Sequence, residues 1–194
     1  MAAAARTAGK HEVEFLSGGS LPRYSTGLEA ALSKFSLVIG TPRDTQAVVE
    51  NDQHIGTWYA LDISDTLVTH HPVMPGSLES LPPSLRPTRF LPIRNWQLLL
   101  STPGGSVSMG GVTLTQREMG EPSLIIGKRY LLIVDASLDR LATLPFGGAG
   151  VWLIGQDDNT LSPITKSPHP LTDDMNRESF RSISNLVNWL IHRR

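Results

Sequence analysis

The apolar residues of this chain come in short runs. Ser36-Leu37-Val38-Ile39-Gly40, Trp96 to Ser101, Tyr130-Leu131-Leu132-Ile133-Val134 and Val151 to Ile154 are each closed within two residues by glycine, proline or aspartate. Runs of this length with turn residues at their ends are the signature of strands, because a buried helix needs its apolar positions spread at i, i+3 and i+4 over ten or more residues. Gly56 to Thr69 adds a longer alternating segment, with Tyr59, Leu61, Ile63, Leu67 and Thr69 on one phase. Val112 to Thr115, after a Gly110-Gly111 turn, and Thr160 to Ile164, after Asp157-Asp158-Asn159, read as further short strands. Six or seven short strands with turns between them predict a mainly β domain, an antiparallel barrel or sandwich. The 17 glycines and 14 prolines among 194 residues agree with many turns and long loops.

Two breaks interrupt the strand pattern. Pro42 keeps its part of the first strand out of a sheet centre unless a bulge lies there, with Ala47-Val48-Val49 resuming the pairing. Residues 70–94 hold Pro72, Pro75, Pro82, Pro83, Pro87 and Pro92, which deny a ladder its N–H donors, so this stretch is expected to leave the sheet as an insertion. Helices are expected at two places. Thr26 with Glu29 fits a capping box before the stripe Leu28, Ala31, Leu32 and Phe35. After Pro168 and Pro170, Thr172 or Asp173 caps an amphipathic helix carrying Phe180, Ile183, Leu186, Val187, Leu190 and Ile191 on one face, expected to pack on the barrel. The expected organisation is a loose arm over 1–24, a β domain over 25–168 with its insertion at 70–94, and a C-terminal helix over 169–194.

Composition removes several function classes. No cysteine is present, so thiolate nucleophiles, Cys-ligated zinc, iron–sulfur clusters and disulfides are excluded. With 17 basic and 18 acidic side chains the chain is not a strongly basic nucleic-acid binder. No run approaches the roughly 18 apolar residues of a membrane-spanning helix, and the alanines of residues 1–5 are cut off by Arg6 and Lys10 before an exported leader's apolar region forms. The chain therefore reads as soluble, with no intact signal peptide.

The order Ser36-Leu37-Val38-Ile39-Gly40 after an Ala-rich helix, then Pro103-Gly104-Gly105, then Glu121 to Val134, then Gly150-Val151-Trp152, resembles a group of uncharacterised bacterial proteins, often exported, with an OB-like barrel similar to netrin and metalloproteinase-inhibitor domains. The resemblance covers roughly residues 28–155. It implies an antiparallel OB-like (netrin-like) barrel with a short N-terminal helix, and a location outside the cytoplasm. Metalloproteinase inhibition is not implied, because that family depends on an N-terminal cysteine and disulfides.

Sites of chemistry are sparse. His70-His71 are adjacent on an extended chain, where successive rings point apart, and His11, His54, His169 and His192 stand alone, so no metal site is expected from histidine. A calcium loop at Asp157, Asp158 and Asn159 needs six or more oxygens, and a turn needs only the local polar side chains. Gly120 to Lys128 has two spacers too many for a phosphate loop, and Gly148-Ala149-Gly150 is followed by a strand where a dinucleotide fingerprint requires a helix, so no cofactor is expected. Ser106 and Ser108 lie in glycine-rich sequence without a G-x-S-x-G frame, and a grouping of Ser106 with His54 and Asp62 is the basis of an alternative reading as a small hydrolase.

The segment richest in recognition chemistry is 86–96. Arg86, Arg89 and Arg94 alternate there with Phe90 and Trp96 and no acidic residue, which suits an anionic ligand or an acidic protein partner. The leading expectation is non-catalytic binding or scaffolding with this loop as contact surface. Single-stranded nucleic-acid binding by an OB module is a further alternative, to be recognised by a steep loss of affinity with salt.

Overall fold

The computed structural model describes residues 9, 11–16, 26–51, 54–70, 97–118, 122–136, 142–166, 168–177 and 180–193. The protein is mainly β. Its spine is one long antiparallel hairpin of β2 (Ser36–Asn51) and β3 (His54–Val68), kept from running flat by register shifts, one of them between Pro42 and Asp44. Of β2, only Ser36–Gly40 pairs with β7 (Tyr130–Val134). Pro42 thus lies beyond the end of that ladder, where its missing N–H costs nothing, and its carbonyl accepts from Gly127 N–H at 2.9 Å.

Around this hairpin the order is β10-β9-β7-β2-β3-β4-β8, with β4 (Gln97–Pro103), β8 (Ala142–Thr143), β9 (Val151–Ile154) and β10 (Leu161–Pro163). A second, three-stranded sheet runs β1-β6-β5, from β1 (Glu12–Leu16), β6 (Val112–Arg117) and β5 (Gly105–Met109). Both sheets are mixed rather than antiparallel: β8 lies parallel to β4, and β1 parallel to β6. Neither ladder closes into a ring. A two-bond bridge does connect Thr143 of β8 to Asp135, the residue after β7, with N–H to carbonyl distances of 3.0 Å in both directions. β1 falls within the stretch expected to be a loose arm; parallel pairing gives Val13 and Phe15 an apolar floor on Ile55, Val112 and Leu114.

Alternation along the strands sends side chains to two cores. On one face Leu37, Ile39, Leu131, Ile133 and Trp152 meet α1 (Leu28–Leu32), α2 (Pro170–Met175) and α3 (Ile183–His192). On the other, Val38, Tyr59, Leu61, Leu98, Leu100, Tyr130 and Leu132 pack with Leu124, Ala142 and Leu144. Each fully buried Leu or Ile adds about 2 kcal/mol of transfer free energy, so these two clusters dominate the fold's stabilisation.

The helices differ from the sequence expectation in their ends. Gly27, not Thr26, is the N-cap of α1, and the amide of Leu28 is capped from a distance by Asp174 Oδ2 at 2.8 Å. A Cβ at residue 27 would collide with that same carboxylate oxygen, which is why a glycine stands there. The C-terminal region is two helices rather than one. His169 caps α2 through Nδ1, which accepts from Leu171 N–H at 3.1 Å, and Ser182 caps α3 by accepting from Asn185 N–H at 3.2 Å. No helix among the described residues is long and apolar enough to cross a membrane.

Candidate functional site

A cleft of about 470 Å³ opens between the two sheets, at the end of the β3–β4 pair where β4 turns into β5. That turn is Pro103-Gly104-Gly105, with φ of +88° at Gly104 and +142° at Gly105, values that side-chain-bearing residues rarely adopt. Space imposes glycine as well: a Cβ on Gly105 would stand 2.5 Å from Thr57 Oγ1 and 3.2 Å from Ala47 Cβ. Gly104 N–H donates to Ile55 O at 2.8 Å, and Thr57 Oγ1 donates to Gly104 O at 2.6 Å, which fixes the turn to β3. Thr102, opposite Thr57 in the ladder, donates to Thr57 O at 3.3 Å.

Pro122 and Ser123 form another part of the wall. The segment they belong to is held by two tyrosines, since Tyr59 Oη accepts from Leu124 N–H at 3.2 Å and Tyr130 Oη from Ile125 N–H at 3.0 Å. Both rings are buried in the second core, so the polar tips carry the segment while the bodies fill the interior.

Gln116, Arg117 and Glu118 complete the lining. Val112, Leu114 and Gln116 share one phase of β6, and Gln116 is only 2% exposed. Its Oε1 accepts from Ile55 N–H at 2.7 Å, and its Nε2 donates to Glu118 Oε1 at 2.6 Å. Because a backbone amide is a donor only, the Gln116 carbonyl must face it and the amide NH₂ must face Glu118. Glu118 Oε1 is thereby held as an acceptor. Glu118 Oε2 is buried and has no hydrogen-bond partner among the described residues. The neighbouring Arg117 pairs through Nε with Glu14 Oε1 of β1.

The residues singled out in the sequence are distributed otherwise. Arg86, Arg89, Phe90, Arg94 and Trp96, with His71 and most of the 70–94 insertion, lie outside the described residues. Ser106 Oγ shares a hydrogen bond with Thr115 Oγ1 at 2.8 Å, and Ser108 Oγ with Thr113 Oγ1 at 3.1 Å, both as exposed cross-strand pairs on the small sheet. His54 and Asp62 stand eight positions apart on β3, about 26 Å at 3.3 Å per residue, so those two cannot serve one serine. Asp62 instead accepts from Arg43 Nε and Gln97 Nε2, each at 2.7 Å. His70 is tied to the end of α1, its Nε2 donating to Leu32 O at 2.6 Å and its own N–H donating to Ser36 Oγ at 3.1 Å.

The Asp157-Asp158-Asn159 cluster has its oxygens in structural use. Asp157 accepts from the N–H of Asn159 and from both the N–H and the hydroxyl of Thr160, which holds its carboxyl down at about 2. Asp158 pairs with Arg129 at 2.5 Å, and Asn159 Oδ1 accepts from Ser184 N–H and Oγ at the start of α3. Among the described residues no group of three or more His, Cys, Asp or Glu side chains converges on a metal position. No family model, curated protein or solved structure matches the chain.

Neither Gln116 nor Glu118 stood out in the sequence reading, yet one signal was available. Gln116 continues the apolar phase of Val112 and Leu114, and a polar residue on a buried phase is more informative than an exposed apolar one.

Proposed function

We propose that this chain is a non-catalytic binding module on an OB-like, netrin-like barrel, with the cleft as one contact site and the 86–96 loop as another. The scaffold reading is supported by the circuit β7-β2-β3-β4-β8 and the Asp135–Thr143 bridge back to the end of β7. In that circuit every neighbouring pair is antiparallel except β4 with β8, the strand pairing of a five-stranded Greek-key barrel. The second core is then the barrel interior, and the cleft is its mouth, a common place for a ligand.

The observation that carries binding over catalysis is the state of the cleft's hydroxyls. Thr57 and Thr102 donate to main-chain carbonyls, and Tyr59 accepts a main-chain amide. These three groups position a wall, and the partners they hold among the described residues are main-chain groups rather than a side-chain base. The test is a panel of ester, glycoside and phosphate substrates run with wild type, Ser106→Ala and Ser108→Ala. Equal background rates are expected, and a turnover lost in either variant overturns the reading in favour of a hydrolase. Excising residues 72–92 tests the loop separately: the folded variant is expected to lose partners that bind through Arg86, Arg89 and Phe90, leaving Arg94 and Trp96 in place, and unchanged capture removes the excised part of the loop from the site.

A further inference from the structure

The cleft contains a carboxylate whose surroundings are complete on one side only. Gln116 is locked by Ile55 N–H and presents its amide NH₂ to Glu118 Oε1. The second oxygen, Oε2, is buried and has no donor among the described residues, a costly arrangement for a polar atom. Arg117, the other charged residue of the lining, is engaged by Glu14. The two other buried side-chain atoms without a partner among the described residues, Gln46 Oε1 and Thr172 Oγ1, belong to neutral groups and lie outside this lining.

We propose that the cleft binds an organic cation with N–H donors on an alkyl stem, an ammonium or guanidinium, with Glu118 as its counter-ion. This rests on the binding-module reading above and names the ligand class for its cleft. A cation supplies both missing elements, a positive charge and a hydrogen-bond donor, in one group. Tyr59 and Thr102 add hydroxyl oxygens as further acceptors, and the Pro103 and Pro122 rings offer apolar surface to a methylene stem. A metal ion is a poorer match, because among the described residues a single carboxylate lines the cleft and hard divalent cations require several oxygen ligands. Phosphate and carboxylate ligands meet like charge at Glu118. A volume of about 470 Å³ lies within the range of small-molecule sites.

Such a cation has two sources, a free amine or a Lys or Arg side chain of a peptide, and the experiment separates them. The full chain, labelled with ¹⁵N, is titrated with butylammonium, butylguanidinium, Nα-acetyl-lysine N-methylamide and the neutral pentan-1-ol, in wild type and Glu118→Gln. Glutamine keeps the oxygen that accepts from Gln116 while removing the charge, so the variant preserves the wall. The cations are expected to shift the amides of Thr57, Gly104, Gly105 and Ser123, pentan-1-ol to leave them in place, and Glu118→Gln to weaken cation binding about tenfold or more. Preference for the acetyl-lysine derivative over butylammonium identifies a peptide side chain as the source, and the reverse a free amine. Pentan-1-ol binding as well as the cations, or Glu118→Gln binding them undiminished, overturns the cation and leaves a binding cleft. Cleft amides silent to every probe overturn the cation and remove the cleft from the binding module, whose loop is tested independently by excision.

Discussion

The two ends of the β3–β4 pair each bring a glutamine amide to a carboxylate, and they differ in what completes the charge. At the Asp62 end, Gln97 takes one oxygen and Arg43 the other, both at 2.7 Å, so the chain satisfies its own acid. At the Gly104 end, Gln116 takes one oxygen of Glu118 and no described residue takes the second, while the adjacent arginine is spent on β1. The same local chemistry thus gives a finished structural link where a cation is built in, and a receptive group where it is missing.

Substitutions break this comparison in a definite order. Gly105→Ala has the largest effect, because positive φ and a Cβ 2.5 Å from Thr57 Oγ1 act together; a loss of about 3 kcal/mol is expected from urea unfolding. Gln116→Leu follows at about 2 kcal/mol, since it orphans the buried Ile55 N–H along with Glu118 Oε1, while Gln97→Leu costs less than about 1 kcal/mol because Asp62 keeps Arg43. The charge-neutral pair sharpens the contrast through its sign. Glu118→Gln is expected to raise unliganded stability by about 0.5–1 kcal/mol and Asp62→Asn to lower it by about 0.5 kcal/mol, read as opposite shifts in the urea midpoint. Opposite signs would mark Glu118 as a residue kept at a cost to stability. Equal signs would dissolve the distinction between the two ends.

The smallest effect belongs to neither end. Asp157 has its carboxyl lowered from 3.8 to about 2 by three donors, so folding favours its ionised form. Its contribution is present above pH 3.8 and is lost as pH falls through about 2. Asp157→Ala is expected to flatten the stability profile between pH 4 and 2, measured by thermal melts across that window.

The strands were largely legible because their signal is local. Tyr130–Val134 and Val151–Ile154 are strands over the residues their apolar runs mark, and Pro42 does sit at a bulge. β8 was not legible: Ala142–Thr143 is two residues long and is a strand only through its pairing with β4, far upstream in sequence. β1 was hidden for a related reason, since Glu12-Val13-Glu14-Phe15 becomes a strand only when β6 offers it an edge. Of the C-terminal stripe, Leu186 is buried and Ile183 and Leu190 pack on the first core, but Phe180 lies before the Ser182 cap and Ile191 is 61% exposed, which helix periodicity does not show. The cleft depends on pairing register, which places Thr57 beside Thr102 and Ile55 beside the Gln116 amide, and single-chain spacing does not carry that information.

The cap on α1 sets a timetable. The acceptor for Leu28 N–H is Asp174, 146 positions downstream, and it stands where a cap side chain of residue 27 would be. A nascent polypeptide that has emerged from the ribosome only as far as β9 therefore lacks the carboxylate that caps this five-residue segment. That first turn can be capped only after Asp174 has been made, and shortening the chain before Asp174 would loosen the helix from the opposite end of the sequence.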